Sequence, residues 1–179
     1  KLFGKIVAVN DGDNVRVFHT PGGYWAGWGW LRSTPRVKGE PRVTNRSIHV
    51  RLCGIDAPEA SHFGQPGQWG AQQAIQELRR LALGRRCYIQ VYSIDQYGRA
   101  VGRVKVCGPM RLIGKPSSFY DLSAQMLRSG WALIYEGKDI EYANRKELYK
   151  RMEAKAKKQK KGIWSKSRFE TPAAYKSKH

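Results

Sequence analysis

Residues 1–20 read "KLFGKIVAVNDGDNVRVFHT", two runs rich in Val, Ile and Phe on either side of Asp11-Gly12-Asp13. Apolar, β-branched runs around an Asp-Gly pair predict a β-hairpin with a tight turn, which Asp11 and Asp13 would flank. Working outward, residues 21–46 break the pattern with glycines, three prolines and the closely spaced Tyr24, Trp25, Trp28 and Trp30, and read as an inserted loop or small flap. "SIHVRLCGID" restores a strand that Pro58 stops.

From Pro66 to Gly84, Ala71, Ala74, Ile75, Leu78, Leu81 and Ala82 recur at helical spacing, so this stretch predicts an amphipathic helix. "RRCYIQVYSIDQYGRAVGRVKVCG" returns to strands joined by a turn at Gln96 to Gly98. "FYDLSAQMLRSGWALIY" predicts a short helix with Leu122, Met126 and Leu127 inward and Gly130 closing it, then an extended segment to Tyr135. The last helix, roughly 139–161, carries Leu148, Tyr149, Met152 and Ala156 on one side, with Trp164 pinning its end. Several short strands early, one helix among them and two late predict an α+β fold: a five-stranded oligonucleotide-binding-type β-barrel with three packed helices and an aromatic-rich insertion.

The bulk properties suit that fold. At 179 residues and 20.4 kDa the chain can bury one core without staples. Cys53, Cys87 and Cys107 are odd in number, lie in apolar runs and form no CxxC pair, so reduced, buried thiols in a reducing compartment are favoured over a disulfide framework. The four histidines show no helical metal spacing. No apolar run approaches the roughly 18 residues of a membrane span. The chain starts at Lys1 without Met, which leaves room for a targeting segment or anchor upstream.

Lys and Arg number 33 against 14 Asp and Glu, for a formal charge of +19, and residues 150–179 hold 11 of the cations and 2 of the acids. Such a field concentrates a polyanion, nucleic acid first and an anionic membrane second. The basic end reads either as an electrostatic arm or as a solvated helix face with a frayed terminus.

Against that charge, the acids of the first 60 residues are few: Asp11, Asp13, Glu40, Asp56 and Glu59, four of them in "DGDN" and "IDAPE". If the hairpin and the later strand are barrel neighbours, Asp13 and Asp56 meet at one mouth of the barrel and begin a hard-cation site, with the carbonyl of Ala57 as a third oxygen. Phosphodiester hydrolysis needs a water, a group to take its proton, and positive charge where the phosphorane gathers negative charge. Glu59 can activate the water, and Arg51 and Arg99 can hold phosphate oxygens through forked donors. Each piece has a plainer explanation. The Asp-Gly-Asp run can be turn chemistry, Asp56 to Glu59 a strand stop with a capping acid, Arg51 a neutralising partner and Tyr97-Gly98 only a turn.

Taken together and in order, "DGDN", "VRLCGIDAPE", "DQYGR" and "EAKAKKQKKGIW" resemble the thermonuclease, or staphylococcal nuclease-like, family over about residues 4–165. The resemblance implies a Ca²⁺-dependent phosphodiesterase acting on DNA and RNA with little sequence preference, by water attack on phosphorus that leaves 3′-phosphate ends. It implies Asp13, Asp56 and the Ala57 carbonyl as metal ligands, Glu59 as general base, and Arg51 and Arg99 as catalytic clamps. Asn14 and Ala57 stand where the family commonly has Thr. The insertion "FHTPGGYWAGWGW" looks like the branch of fungal mitochondrial membrane-anchored nucleases and their animal relatives, which implies a mitochondrial setting and a membrane anchor upstream of Lys1. The thermonuclease-like domain would span 1–165, with 21–46 inserted, and 166–179 would form a basic tail.

Tyr97 and Tyr135 are the candidate substrate-binding residues, stacking on unpaired bases, and either can equally be a wall residue with a satisfied hydroxyl. The Tyr24 to Trp30 cluster fits three roles: first a hydrophobic lid over its own barrel, then a base-stacking flap, then a docking patch for a protein partner or a membrane. The alternative to an enzyme is a non-catalytic nucleic-acid-binding or structural subunit of a larger ribonucleoprotein or membrane assembly. A pure anionic-membrane binder would leave the carboxylates unexplained.

Overall fold

Alternating burial along the early strands bends them into a closed ring. In β1 (Leu2–Ala8) and β2 (Asn14–His19) the side chains of Ile6, Val15 and Val17 are fully enclosed, while Lys5, Ala8, Arg16 and Phe18 lie partly open. β1 pairs antiparallel with β2 on one edge and with β5 (Arg86–Ile94) on the other. β2 pairs with β3 (Ile48–Leu52), and β5 with β6 (Ala100–Cys107). A parallel contact between β3 and β6, from Val50 opposite Ala100 to Leu52 opposite Gly102, closes the five strands into a barrel and removes their exposed edges. The computed structural model describes residues 1–35, 46–61, 66–108, 119–136 and 140–176.

Three helices cover the ring. α1 (Ala71–Ala82) buries the six residues its periodicity singles out: Ala71, Ala74, Ile75, Leu78, Leu81 and Ala82. It starts later than Pro66 because Gly70, at φ 91°, breaks the approach. α2 (Leu122–Ser129) is capped by Asp121, whose carboxylate accepts the Ala124 N–H at 3.3 Å, and is ended by Gly130 at φ 78°. α3 (Lys146–Lys158) begins seven residues after the expected start; Ala143 and Asn144, both at φ 56°, form a left-handed break before it. Its inward side chains are Tyr149 and Ala156, with Leu148 and Met152 half-buried. Beyond its end Ile163 is fully buried, and Trp164 packs as expected against the last turn, with Lys157 Nζ 4.5 Å from the centre of its ring. Outside the ring, β7 (Phe119–Asp121) adds to β6, and β4 (Ile55–Asp56) pairs with β8 (Leu133–Ile134). Among the described residues no helix is long and apolar enough to cross a membrane.

The structure departs from the sequence expectations in four other places. The first hairpin turns through five residues, 9–13, instead of a two-residue turn. The strand after residue 47 breaks at Cys53-Gly54 before β4. Of the thiols, all free, Cys53 and Cys87 are buried but Cys107, at the end of β6, is half-open. The aromatic cluster is no lid: Trp25 is 93% exposed and Trp30 65%, and only Trp28 turns down, edge-on to Phe18 at 5.7 Å between ring centres. Residues 36–45 of the insertion lie outside the described residues.

Residues 166–176 fold back instead of trailing away. Phe169 packs against Trp69 and Trp164, Lys166 Nζ lies 5.1 Å from the centre of the Trp69 ring, and a short helix α4 (Pro172–Lys176) follows. The Tyr175 hydroxyl donates to the Pro66 carbonyl. Apolar and aromatic side chains in a cationic segment give it something to bury, which charge counting alone does not register.

Between barrel and helices lies a buried ion pair, Arg103 Nε to Asp121 Oδ2 at 2.6 Å, with Tyr149 Oη 3.3 Å from the same oxygen. One carboxylate thus ties β6, the α2 cap and α3 together. Asp121→Ala strands the Arg103 charge and is expected to cost about 3–5 kcal/mol, read as a shift in the urea unfolding midpoint. Arg103→Ala should cost a similar amount, and the double variant less than the sum.

Candidate active site

Gly12 brings the acidic elements together. A Cβ there would sit 2.6 Å from Ala57 Cβ and 3.0 Å from Ala74 Cβ, so this glycine serves close approach of the loop to α1 and to the residue after β4. The Asp13 carbonyl then accepts the Leu52 N–H at 2.9 Å, which fixes the loop to the end of β3. Asp13 and Asp56, 43 positions apart, arrive on one guanidinium: Arg51 Nη2 lies 3.3 Å from Asp13 Oδ2 and 3.2 Å from Asp56 Oδ1. Ala57 follows directly and is buried.

The two acids are nearly out of water, Asp13 at 4% and Asp56 at 1% exposure, so their charge is costly. Burial pushes Asp13 up to about 7, against the pull of Arg51 and with help from Asp11, Asp56 and Glu59. Burial also lowers the Arg51 pKa, but Asp13 and Asp56 outweigh it and hold the guanidinium more firmly protonated than usual. Asn14 Nδ2 donates to Asp13 Oδ1 at 2.6 Å, while Asn14 Oδ1 is buried with no hydrogen-bond donor among the described residues. Two desolvated carboxylates on one guanidinium, with a buried, orphaned amide oxygen on the residue after Asp13, are hard oxygen donors whose chemistry suits a group-two cation. Among the described residues no cluster of three or more Asp, Glu, His or Cys is gathered, so any such ion would draw its other ligands from carbonyls and water.

Glu59 is held by its backbone. Its N–H donates to Gln68 Oε1 at 3.1 Å and its carbonyl accepts the Gln68 N–H at 2.8 Å. Gln68, almost buried, also donates through Nε2 to the Glu170 carbonyl of the folded-back end. Residues 62–65, between the two halves of this clamp, lie outside the described residues.

Arg99 closes the β5–β6 turn. Its Nε donates to Asp95 Oδ2 at 2.6 Å, and Asp95 Oδ1 accepts the backbone N–H groups of Tyr97 and Arg99, both at 2.9 Å. Burial raises the Asp95 pKa, but these donors outweigh it and keep the carboxyl below its ordinary range. The Arg99 guanidinium lies 5.1 Å from the centre of the Tyr97 ring, and that of Arg51 5.4 Å from the centre of Tyr135. Arg51, Arg99, Tyr97 and Tyr135 line one groove of about 350 Å³. A second cleft of about 390 Å³ is lined by Asp11, Asn14 and Glu59, and Arg99 is the wall the two share. Of the candidate site residues, Arg51, Arg99, Tyr97 and Tyr135 line the first groove and Glu59 the second, Asp13 and Asp56 contact Arg51 from behind, and Ala57 lines neither.

The comparisons bear on this geometry. The family model described as staphylococcal nuclease homologue matches residues 49–166. The chain belongs to the staphylococcal nuclease family. Among its relatives in that family are proteins named probable endonuclease LCL3. That of Komagataella phaffii is 47% identical over 176 residues, 98% of this chain and 74% of the relative. Those of Candida tropicalis and Clavispora lusitaniae are 42% and 45% identical, over 100% and 98% of this chain and 73% and 72% of theirs. The span matched by the family model takes in three of the four motifs, all but "DGDN" at residues 11–14.

Three residues at the site escape sequence reasoning. Asp95 belongs to the "DQYGR" motif and sits four positions before the arginine it tethers, a signal available in the pattern. Gln68 carries no local signal, since its partners are nine and 102 positions away. His49, lining the second cleft, has its pKa lowered by burial and by Arg16 and Arg99.

Proposed function

We propose that the chain is a Ca²⁺-dependent nuclease that hydrolyses phosphodiester bonds of DNA and RNA with little sequence preference. The observation that carries this reading is the groove in which Arg51 and Arg99 stand together, each beside a tyrosine ring, with two buried carboxylates behind Arg51. The family and the name its relatives carry support an endonuclease.

A phosphate entering the groove meets two guanidiniums. Arg51 and Arg99 bind its non-bridging oxygens and take up the charge that gathers on them as phosphorus becomes pentacoordinate. Both forks are already oriented, by Asp13 and Asp56 for one and Asp95 for the other, so little reorganisation remains for the reaction itself. Tyr97, 73% exposed, and Tyr135, 38% exposed, offer ring faces to flanking bases, and stacking accepts any base. Glu59, from the adjoining cleft, takes the proton of the attacking water, and the 5′ oxygen leaves.

Asp13, Asp56 and the Ala57 carbonyl would hold the divalent ion. Bound there, Ca²⁺ supplies Lewis-acid stabilisation of the phosphate and acidifies a water. Its charge also offsets the cost of ionising Asp13, which burial otherwise keeps protonated to about pH 7.

The test is digestion of single- and double-stranded DNA and of RNA with Ca²⁺, with chelator, and with other divalent ions. Cleavage of all three that chelator abolishes is the expected result. Tight, salt-sensitive binding without any cutting would overturn the enzyme in favour of a binding module, and cutting indifferent to chelator would overturn the ion.

Gln68 offers a finer check. Gln68→Ala removes the acceptor of the Glu59 N–H, leaving the Gln68 N–H on the Glu59 carbonyl and the groove untouched, so kcat should fall about 10- to 100-fold, the scale of a small misplacement of a reacting group. KM should hardly move. Equal losses in kcat and affinity would show that Gln68 merely supports the fold.

A further inference from the structure

The aromatic insertion has no part in the chemistry above, and it exposes more apolar surface than any other element described. Trp25, Leu31, Trp30 and Tyr24 are 93%, 74%, 65% and 54% exposed, and Phe3 and Phe119 beside them 48% and 53%. Of these, Phe3, Tyr24, Trp25 and Phe119 line a cleft of about 770 Å³, with Lys5 and Arg86 in its wall. It shares no residue with the two catalytic clefts. β2 begins at the acidic site and ends at this one, which places them about 16 Å apart along the barrel wall. Between Asp13 and Glu40 the sequence contains no acid.

Many of the loop's donors are satisfied within the loop itself. Trp28 Nε1 donates to the Pro21 carbonyl and Trp30 Nε1 to the Tyr24 carbonyl, each at 3.0 Å. The backbone N–H groups of Gly27, Gly29, Leu31 and Arg32 all find carbonyls within the loop, at 2.8–2.9 Å. A loop that meets only water has no need of such closure, whereas one that enters a medium without hydrogen-bond partners requires it. Leu31 adds an aliphatic tip that has no use in base stacking. Guanidiniums already lie against two of the rings, Arg86 at 5.2 Å from Tyr24 and Arg32 at 5.6 Å from Trp28, leaving less open face for nucleobases.

We propose that residues 22–32, with Phe3 and Phe119, form an interfacial docking surface for an anionic phospholipid bilayer. Trp25, Trp30 and Leu31 enter the boundary between headgroups and acyl chains, where tryptophan and tyrosine rings favour the interface. Arg32 and Arg86 lie at headgroup level and meet lipid phosphates and carboxylates, while Lys5 Nζ is held by Thr34 Oγ1 and the Pro35 carbonyl. The catalytic groove, on a different part of the barrel, stays open to solvent.

The experiment uses the 179-residue chain and vesicles of phosphatidylcholine alone or mixed with phosphatidylserine. The chain should co-sediment with the mixed vesicles, and lipids brominated along their acyl chains should quench its tryptophan fluorescence. The double variant Trp25→Ser/Leu31→Ser should lose at least about tenfold in vesicle partitioning and most of the quenching, with an unchanged unfolding midpoint. Both side chains are open to water, at 93% and 74% exposure, and neither takes part in the hydrogen bonds that close the loop. Binding that survives the double substitution and disappears in salt would assign the interaction to the basic helix α3 and overturn the proposal. So would a loss of single-stranded DNA affinity with vesicle binding intact, which would make the loop a base-stacking flap. Concentration-dependent self-association abolished by the same variant would make it a contact between copies of the chain.

Discussion

Glu59→Gln is expected to lower kcat by about 10²–10⁴-fold, the range for removing a general base, with polynucleotide affinity nearly unchanged. The substitution keeps shape and polarity. The Gln68 clamp holds Glu59 by backbone atoms, so it survives the change and the new amide occupies the place of the carboxylate. What is lost is the capacity to accept a proton. Cleavage within a few-fold of the unsubstituted chain would remove Glu59 from the mechanism and leave the second cleft without a role. Single-turnover cleavage of a short labelled oligonucleotide separates this from any effect on product release.

How far the site was legible follows from the range of the interactions that build it. The strands and the inward faces of α1 and α2 rest on alternation and helical spacing, which are local, and every buried residue named for α1 is buried. The convergence of Asp13 and Asp56 depends on β2 pairing with β3, and composition supplies the hint: a chain of +19 has little reason to sequester acids without a cationic partner. What stayed hidden is non-local or negative. Gly12 reads as a turn residue, yet it is needed because Ala57 and Ala74 leave no room for a Cβ. Gln68 acts through partners on both sides of a long sequence gap. The lid failed as an expectation because solubility arguments assume that clustered tryptophans must be covered by their own chain, and Trp25 is not. In the basic terminal segment, the lysine count masked Phe169 and Tyr175, the residues that fold it back.

Arg51→Met should lower kcat by about 10²–10³-fold, the loss for one oriented donor to a developing oxyanion, and it should also make the stability of the protein depend on pH and on divalent ions. Arg51 is the guanidinium that contacts both buried acids. In the folded chain Asp13 keeps its proton to about pH 7, whereas an unfolded aspartate releases it near 3.8. The folded state therefore binds more protons across that window, and stability falls as pH rises through it. Without Arg51 the lowering influence is gone, so the Asp13 pKa moves higher and the window extends upward. The stability deficit of the variant should be small at about pH 5 and reach about 3–5 kcal/mol at about pH 8, the scale of an uncompensated buried charge. Added Ca²⁺ should recover a larger part of it than added Na⁺ of equal ionic strength, because a bound divalent ion compensates the carboxylates and screening by salt reaches buried charges poorly. Arg51→Lys, which keeps the charge but not the fork, should retain most of the stability and little of the catalysis. A deficit unchanged between the two pH values, or blind to Ca²⁺, would mean that the acids beside Arg51 are not held as a cation pocket and that the guanidinium alone organises the site.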